Sequence, residues 1–461
     1  MADTMQEIVS LSKRRGFVYQ GSEIYGGLAN TWDYGPMGVE LLRNIQNAWW
    51  ERFVHKRADM LGLDTNIFMS PKVWEASGHT QSFTDTLVDC RECQSRKRAD
   101  HLIEEYAASK NEEVKVEGKT PEELEQIIQQ KQIPCPVCGK FNWTKPRRFN
   151  LLFETSMGIV TGEKSLVYLR GEIAQGMFVN FKNILDSFGG LRMPFGLAQS
   201  GKAFRNEITP GNFIFRTLQF NLSELEYFFD PEVQNWLELF AYWQKEMWQW
   251  TTEVLKIEEG SLRWRAHTDE ERSHYSKRTE DIEFKFPFGW KELYGLAYRT
   301  DFDLKNHTEK SGVDLRYTDP FTGKRFIPHV IEPTFGMDRS LLAVLVNSYQ
   351  KDEKRTVLTL PVRLAPYKIA VFPLLKNKEQ LVGKAREIFN RLNTRWNVAW
   401  DERGNIGKRY YSQDELGTPF CITVDYDTLD KGDVTVRNRD TMEQERVTIG
   451  QLETYFEEKL Q

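Results

Sequence analysis

The chain has 461 residues, 40% hydrophobic and 28% charged, enough for two or three folded domains with sizeable cores. Its net charge of −5 gives no global attraction to nucleic acid, so RNA contacts must come from local basic patches: Lys13-Arg14-Arg15, Lys145 with Arg147 and Arg148, or Lys408-Arg409. It shows no long apolar run and no basic-then-apolar leader, and its five cysteines are too few to staple a chain this long, so a cytoplasmic protein without a membrane partner is expected.

Residues 1–60 read as mainly helical after a short N-terminal strand and turn. Leu41, Leu42, Ile45, Trp49 and Phe53 recur at helical spacing, as core or as a subunit contact. Residues 86–148 read as a charged insertion bounded by Cys90-x-x-Cys93 and Cys135-x-x-Cys138. Within it, Thr120 as cap, Pro121 in the first turn and Glu122-Glu123 at the positive end of the dipole predict an amphipathic helix to Lys131. The two cysteine pairs, separated by 41 residues, suit a tetrahedral zinc site, structural because protein fills all four positions. Cys421 reads as core.

Residues 149–345 read as strands alternating with loops. Asp281 to Phe286 and Arg299 to Leu304 alternate polar and apolar, which predicts an antiparallel sheet with one wet face where a substrate can lie. Phe204-Arg205-Asn206-Glu207-Ile208 alternates as a strand does, with Arg205 and Glu207 on one face. Phe220, Leu222, Glu224 and Glu226 share a face by the same rule. Glu332 to Arg339 reads as a loop entering a helix that ends near Tyr349. A connector from Lys354 to Leu364 marks a boundary near residue 364. Beyond it come a strand at Tyr367 to Phe372, a helix from about Asn377 to Asn393, strands at Asn397 to Trp400, Phe420 to Tyr426 and Val434 to Arg437, and a closing helix near Ile449 to Lys459. That alternation predicts a small α/β domain. Arg437 and Arg439 either face a phosphate or base edge or are solvated charges on a hairpin.

Arg205, Glu207 and Arg339, held on sheet and helix, suit a grip on a nucleotide triphosphate, although each alone is as readily a solvated or ion-paired surface group. Seven histidines lie scattered, and no obvious Ser/His/Asp or Cys/His set is present. The chemistry expected is therefore positioning and charge neutralisation rather than nucleophilic catalysis by the protein.

The longer phrases carry a resemblance. Phe204 to Glu207 resembles motif 2 of the class II aminoacyl-tRNA synthetases, and Gly336-Met337-Asp338-Arg339 resembles motif 3. Trp32-Asp33-Tyr34-Gly35-Pro36-Met37-Gly38 is similar to the motif 1 region of the dimeric glycyl-tRNA synthetases. So are Phe286-Pro287-Phe288-Gly289-Trp290, Arg299 to Leu304, Gly417 to Cys421 and Arg437 to Met442. The resemblance covers nearly all of the chain.

It implies an α+β fold: an antiparallel-sheet catalytic domain, with residues 1–85 holding motif 1 and 149–364 holding motifs 2 and 3. A zinc-knuckle insertion at 86–148 and an α/β anticodon-binding domain at 365–461 complete it. It implies a homodimer that activates glycine with ATP to glycyl-adenylate and passes glycine to the 3′ end of its tRNA, with Mg²⁺ on the phosphates and no role for DNA. A class II synthetase for another small amino acid, or a non-catalytic synthetase-like RNA-binding paralogue, are the alternatives.

By the resemblance, Arg205 holds the α-phosphate, Glu207 the adenine amino group, and Arg339 the γ-phosphate or the adenine face. Asn206, Phe215, Arg216, Phe220, Glu292, Leu293, Gly336, Met337 and Asp338 complete the ATP site. The glycine side takes Arg98, Glu172, Phe220, Asn221, Leu222, Ser223, Glu224, Glu332, Pro333, Thr334, Phe335 and Gly336, with Glu172, Glu224 and Glu332 on the ammonium. Cys90, Cys93, Cys135 and Cys138 bind zinc. Selection for glycine comes from a clash with any larger Cα substituent. The chain departs from the family's usual residues at Gly171, Ile173, Leu218, Gln219, Asn221, Leu222, Ser223, Tyr294, Tyr298 and Thr334. These departures read as clustering at the glycine pocket, as a divergent lineage or an altered pocket would show.

Overall fold

A computed structural model describes residues 2–112, 114–116, 118–158, 165–207, 211–269, 271–273 and 275–460. The chain opens on a helix, Ala2–Arg15, where the sequence reading placed a strand, and Ile8 and Leu11 anchor it in the core. The short strand Val18–Gln20 follows and pairs with Trp32–Tyr34. Pro36, whose missing N–H is an orphan donor anyway, then starts the helix Pro36–Trp50. Leu41, Leu42, Ile45, Trp49 and Phe53 are all buried within the one chain, so this stripe is core rather than a subunit contact.

Seven strands form the central sheet, in the order Leu262–Ala266, Arg278–Phe286, Gly289–Thr300, His329–Gly336, Gln219–Phe229, Phe195–Phe204 and Met60–Gly62. All pair antiparallel except the last, which lies parallel to Phe195–Phe204. The period of two sorts the side chains. On one face Leu225, Tyr227, Tyr294, Leu296, Ile331 and Phe335 pack under the helices Pro36–Trp50, Trp236–Gln249 and Met337–Ser348. Phe335 sits at the centre of an aromatic cluster, 5.1 Å from Phe53, 5.7 Å from Trp49 and 4.9 Å from Tyr294.

The other face carries Glu224, Glu226, Arg299 and Glu332. It is polar as the alternation predicts, but not wet. The helices Ala174–Val179 and Phe302–Ser311 cover it, and all four charged groups are buried. Two local readings change as well. Glu332 to Gly336 belongs to a strand that runs directly into the helix Met337–Ser348, with no loop between them. The motif 2 strand stops at Phe204. Arg205 and Asn206 instead bond sideways, Arg205 N donating to Leu218 O and Asn206 N to Leu151 O; Ile208 lies outside the described residues.

The insertion has its own small sheet, Thr84–Asp89 between Arg96–Arg98 and Arg147–Asn150, and its own core of Val88, Leu102, Ile103, Leu124 and Ile128. The helix expected from residue 121 is Pro121–Gln130. A reciprocal cap holds it, Glu123 N donating to Thr120 Oγ1 and Thr120 N to the Glu123 carboxylate.

The C-terminal sheet runs Val398–Trp400, Ile369–Pro373, Phe420–Val424, Asp433–Asn438, Gln444–Thr448, the first three parallel and the rest antiparallel. Helices Glu379–Leu392, Ile406–Leu416 and Leu452–Lys459 accompany it. The helix Ile406–Leu416 and the strand Gln444–Thr448 have no counterpart in the sequence reading. That helix also overturns three surface assignments. Arg409 is buried and donates to the carbonyls of Pro373, Glu402, Arg403 and Gly404. Arg437 is clamped on Asp414 at 2.8 and 3.1 Å. Arg439 donates to the carbonyls of Gly417 and Leu360. Arg437 and Arg439, 4% and 2% exposed, are neither solvated nor turned to a ligand. No helix of the described residues is long and apolar enough to cross a membrane.

Candidate active site

A cavity opens at the end of the central sheet where Phe204, Gly336 and the Gly289–Thr300 strand converge. Arg205, Glu207, Phe215, Arg216, Phe220, Asn221, Leu222, Glu292, Leu293, Thr334, Gly336, Asp338 and Arg339 line it. Residues from three distant parts of the chain thus meet in one place. Arg205 Nε donates to Gly171 O at 3.0 Å, and its guanidinium lies 5.0 Å from the Phe83 ring and 5.4 Å from Phe220. That fixes the plane of the group and leaves its outer nitrogens for a ligand. Arg339 lies 4.5 Å over Phe215, donates to Glu292 O at 3.0 Å and faces the Glu292 carboxylate at 3.1 Å. Its charge holds the Glu292 carboxyl below the usual range. Two oriented guanidiniums over aromatic rings can take a polyphosphate and a planar base.

Asp338 ties the site together. It accepts from the Tyr34 hydroxyl, from Asn221 N and from Asn221 Nδ2 at 2.9 Å, which joins motifs 1, 2 and 3 through one carboxylate. The amide of Asn221 suits that bond, since it donates to a carboxylate without adding a charge of its own.

Behind the cavity lies a buried network. Arg299 donates to Asp303 at 2.7 and 2.8 Å and to Glu332 at 2.9 and 3.0 Å. Gln175 Nε2 bridges Glu172 and Asp303, both at 2.9 Å, and Glu224 accepts from Ile173 N at 3.0 Å. The carboxyls outnumber the cations here. Burial, with Glu332 and Glu172 nearby, pushes Glu224 up to about 8; burial against a partial offset from Arg299 pushes Glu332 up to about 7. Burial raises Glu226 well above the usual range. Burial opposes ionisation of Glu172, but His79 and Arg299 outweigh it and hold that carboxyl far below the usual range. A compact cation, such as an ammonium, is what this acidic set is short of.

Not every residue expected at the ligand turns its side chain there. Ser223, Pro333 and Phe335 lie on the opposite face of the sheet. Ser223 bonds Ser200, and Phe335 and Met337 are in the hydrophobic core, so any contact from these four is through backbone. Asn206 points no side chain into the cavity lining, and Arg98 sits outside it, paired with Asp85 and Asp100. Tyr294 and Tyr298 also face away from the pocket. Tyr294 bonds Ser340 and Trp250, and Tyr298 stacks on Trp236 and bonds His329. The departures therefore do not all gather at the pocket. Ile173 and Leu222, the second of which lines the pocket, pack together with Ala203 and Phe220. A Cβ on Gly171 would stand 3.1 Å from Phe83 and 3.0 Å from Leu152, so a larger residue there needs those two side chains to shift by a few tenths of an ångström. The sequence reading assigned no role to His79, Gln175 or Asp303, although Arg299 and Asp303, four apart, stood within a recognised phrase.

At the insertion, Cys90 and Cys138 sulfurs are 3.7 Å apart, Cys93 and Cys135 sulfurs 3.6 Å, and all four lie within 4.8 Å of one another. Tetrahedral zinc with bonds of about 2.3 Å sets its sulfurs roughly 3.8 Å apart. The donor set fits that metal.

An antiparallel sheet bearing one arginine at a strand end and another at the start of a following helix, joined to a separate mixed α/β domain, fits a class II aminoacyl-tRNA synthetase. Residues 368–459 match the anticodon binding domain family. The chain is 52% identical to the glycine–tRNA ligase of Alkaliphilus oremlandii over 462 residues, 99% of this chain and 98% of that one. It is 50% identical to that of Clostridium kluyveri over 464 residues, 99% of each. It is 50% identical to that of Geobacillus thermodenitrificans over 465 residues, covering 100% and 98%. The chain belongs to the glycine–tRNA ligase family.

Proposed function

We propose that this protein activates glycine with ATP and transfers it to its tRNA in the cytoplasm. The observation that carries the reading is the meeting of Arg205, Glu207 and Arg339 in one cavity; the buried carboxyls Glu172, Glu224 and Glu332 do not line it, but Glu224 pairs across the sheet with the cavity residue Thr334. ATP lies with its α-phosphate on Arg205 and its base between Phe220 and Arg339. The glycine ammonium replaces the missing cation among the carboxylates. The glycine carboxylate then attacks the α-phosphorus, a new oxygen–phosphorus bond forms, and pyrophosphate leaves with its electron pair. The arginines neutralise charge as it moves, and no protein group needs to take a proton. Mg²⁺ would supply further neutralisation on the phosphates, with Glu292 the nearest carboxylate to Arg339. The domain limits of 1–85, 86–148, 149–364 and 365–461 are part of the same proposal, the last piece reading the anticodon.

ATP–pyrophosphate exchange with each of the twenty amino acids tests the activity. Glycine is expected to drive exchange best; a faster rate with alanine, serine or threonine would overturn the reading. Sedimentation of the same sample tests the homodimer, for which Ile24, Tyr25 and Leu28 offer exposed apolar surface. A purely monomeric species at micromolar concentration would remove it.

The cysteine knuckle is proposed to hold one structural zinc. Elemental analysis is expected to find about one zinc per chain, and chelation to loosen residues 86–148, since binding energy there is folding energy. Four thiols that titrate freely in the metal-free native protein would refute the site.

A further inference from the structure

His79 is 3% exposed and belongs to no part of the ATP grip. Its Nε2 stands 3.1 Å from Glu172 Oε2, and its Nδ1 2.8 Å from Ser77 Oγ, which also lies 3.3 Å from Trp74 O. The ring is held from every side. Trp74 and Phe83 lie 5.3 and 5.1 Å away, and Asn150 Nδ2 donates to the carbonyls of His79 and Thr80. Phe83, at the other end of the same short segment, is also the ring beneath Arg205. Among the described residues Glu172 has no other partner on Oε2; its Oε1 is taken by Gln175, with Arg299 farther off at 3.9 Å. Without His79, the carboxylate keeps only its Oε1 bond to Gln175, about which it can pivot, and can take up a proton in a site already rich in carboxyls.

We propose that His79, oriented by Ser77, is a positioning residue for glycine: it fixes the Glu172 carboxylate in the plane and charge state that receive the ammonium. The inference rests on the reading of Glu172 as an ammonium ligand. His79 itself touches no substrate. A charge-assisted bond to a buried carboxylate is lost when it is removed, while the phosphate side, built on Arg205 and Arg339, stays in place.

The test is steady-state exchange by the full chain, with KM for glycine and for ATP measured separately. His79→Ala is expected to raise KM for glycine about tenfold and to leave KM for ATP within about twofold. His79→Gln, which returns a donor near the Nε2 position, is expected to recover most of the loss. Equal rises in both KM values, or no rescue by glutamine, would mark His79 as structural only and overturn the proposal. If His79→Ala does not fold, Ser77→Ala takes its place, with an expected rise of about threefold in KM for glycine alone. An unchanged KM there overturns the proposal as well. Glu172→Gln separates the two ideas. If it leaves glycine binding intact, the ammonium reading falls; if it weakens binding and the His79 variants do not, only the present inference falls.

Discussion

Replacing Arg205 or Arg339 by alanine is expected to lower kcat/KM for glycine-dependent exchange by about a hundredfold or more, since preorganised charge in a confined site is worth roughly 3 kcal/mol in the transition state. Arg205 is fixed by Gly171 O and flanked by Phe83 and Phe220, so no reorganisation is needed when charge moves onto the pyrophosphate. Arg339 is aimed by Glu292 and supported by Phe215. Both groups line the cavity and sit outside the hydrophobic core, so thermal unfolding should shift by only a few degrees. Lysine is a poor substitute at either place, because a point charge cannot lie flat on a ring or offer two parallel donors. Near-normal exchange by either alanine variant would show that the assigned contact is not made in the transition state.

The sequence was most legible where chemistry and local pattern coincide. The arginines, Glu207 and the cysteine pairs stood out because each needs a particular residue type, and the capped helix from Pro121 because its signals are local. Burial was less legible. The period of two placed Glu224 and Glu226 on one face but not the helices Ala174–Val179 and Phe302–Ser311 over it, so a covered face was expected to be wet. Arg437 and Arg439 read as either ligand contacts or solvated charges, because nothing in their own strand foretold Asp414, 23 residues away from Arg437, or the carbonyls of Gly417 and Leu360 that Arg439 meets. His79 was invisible for the same reason, since its partner Glu172 lies far along the chain. Phe335 and Met337 show a different limit: membership of a motif does not say which way a side chain points.

A chain ending at residue 364 is expected to keep glycine-dependent exchange, lose most tRNA charging, and unfold well below the temperature of the full protein. All cavity residues precede residue 340, so the first outcome needs nothing from the C-terminal piece. Charging needs the tRNA held and its anticodon read, which the proposal gives to residues 365–461. The third outcome follows from the junction. The Arg355 side chain is 6% exposed there, with Nη1 2.8 Å from Asp414 and 2.9 Å from Arg439 O. Arg14 and Arg15 reach Glu415 from the first helix, and Arg439 caps Leu360 O. The cut removes Asp414 and leaves the Arg355 guanidinium without its carboxylate, a loss of about 3–5 kcal/mol for a broken buried pair. Exposure to water after the cut offsets part of it. Asp414→Ala in the full chain isolates that contribution: Arg355 and Arg437 lose their shared partner, so the full protein should unfold at lower temperature while its exchange rate holds. A shortened chain as stable as the whole, or one that charges tRNA equally well, would show that the two parts are neither bolted nor divided in labour as described.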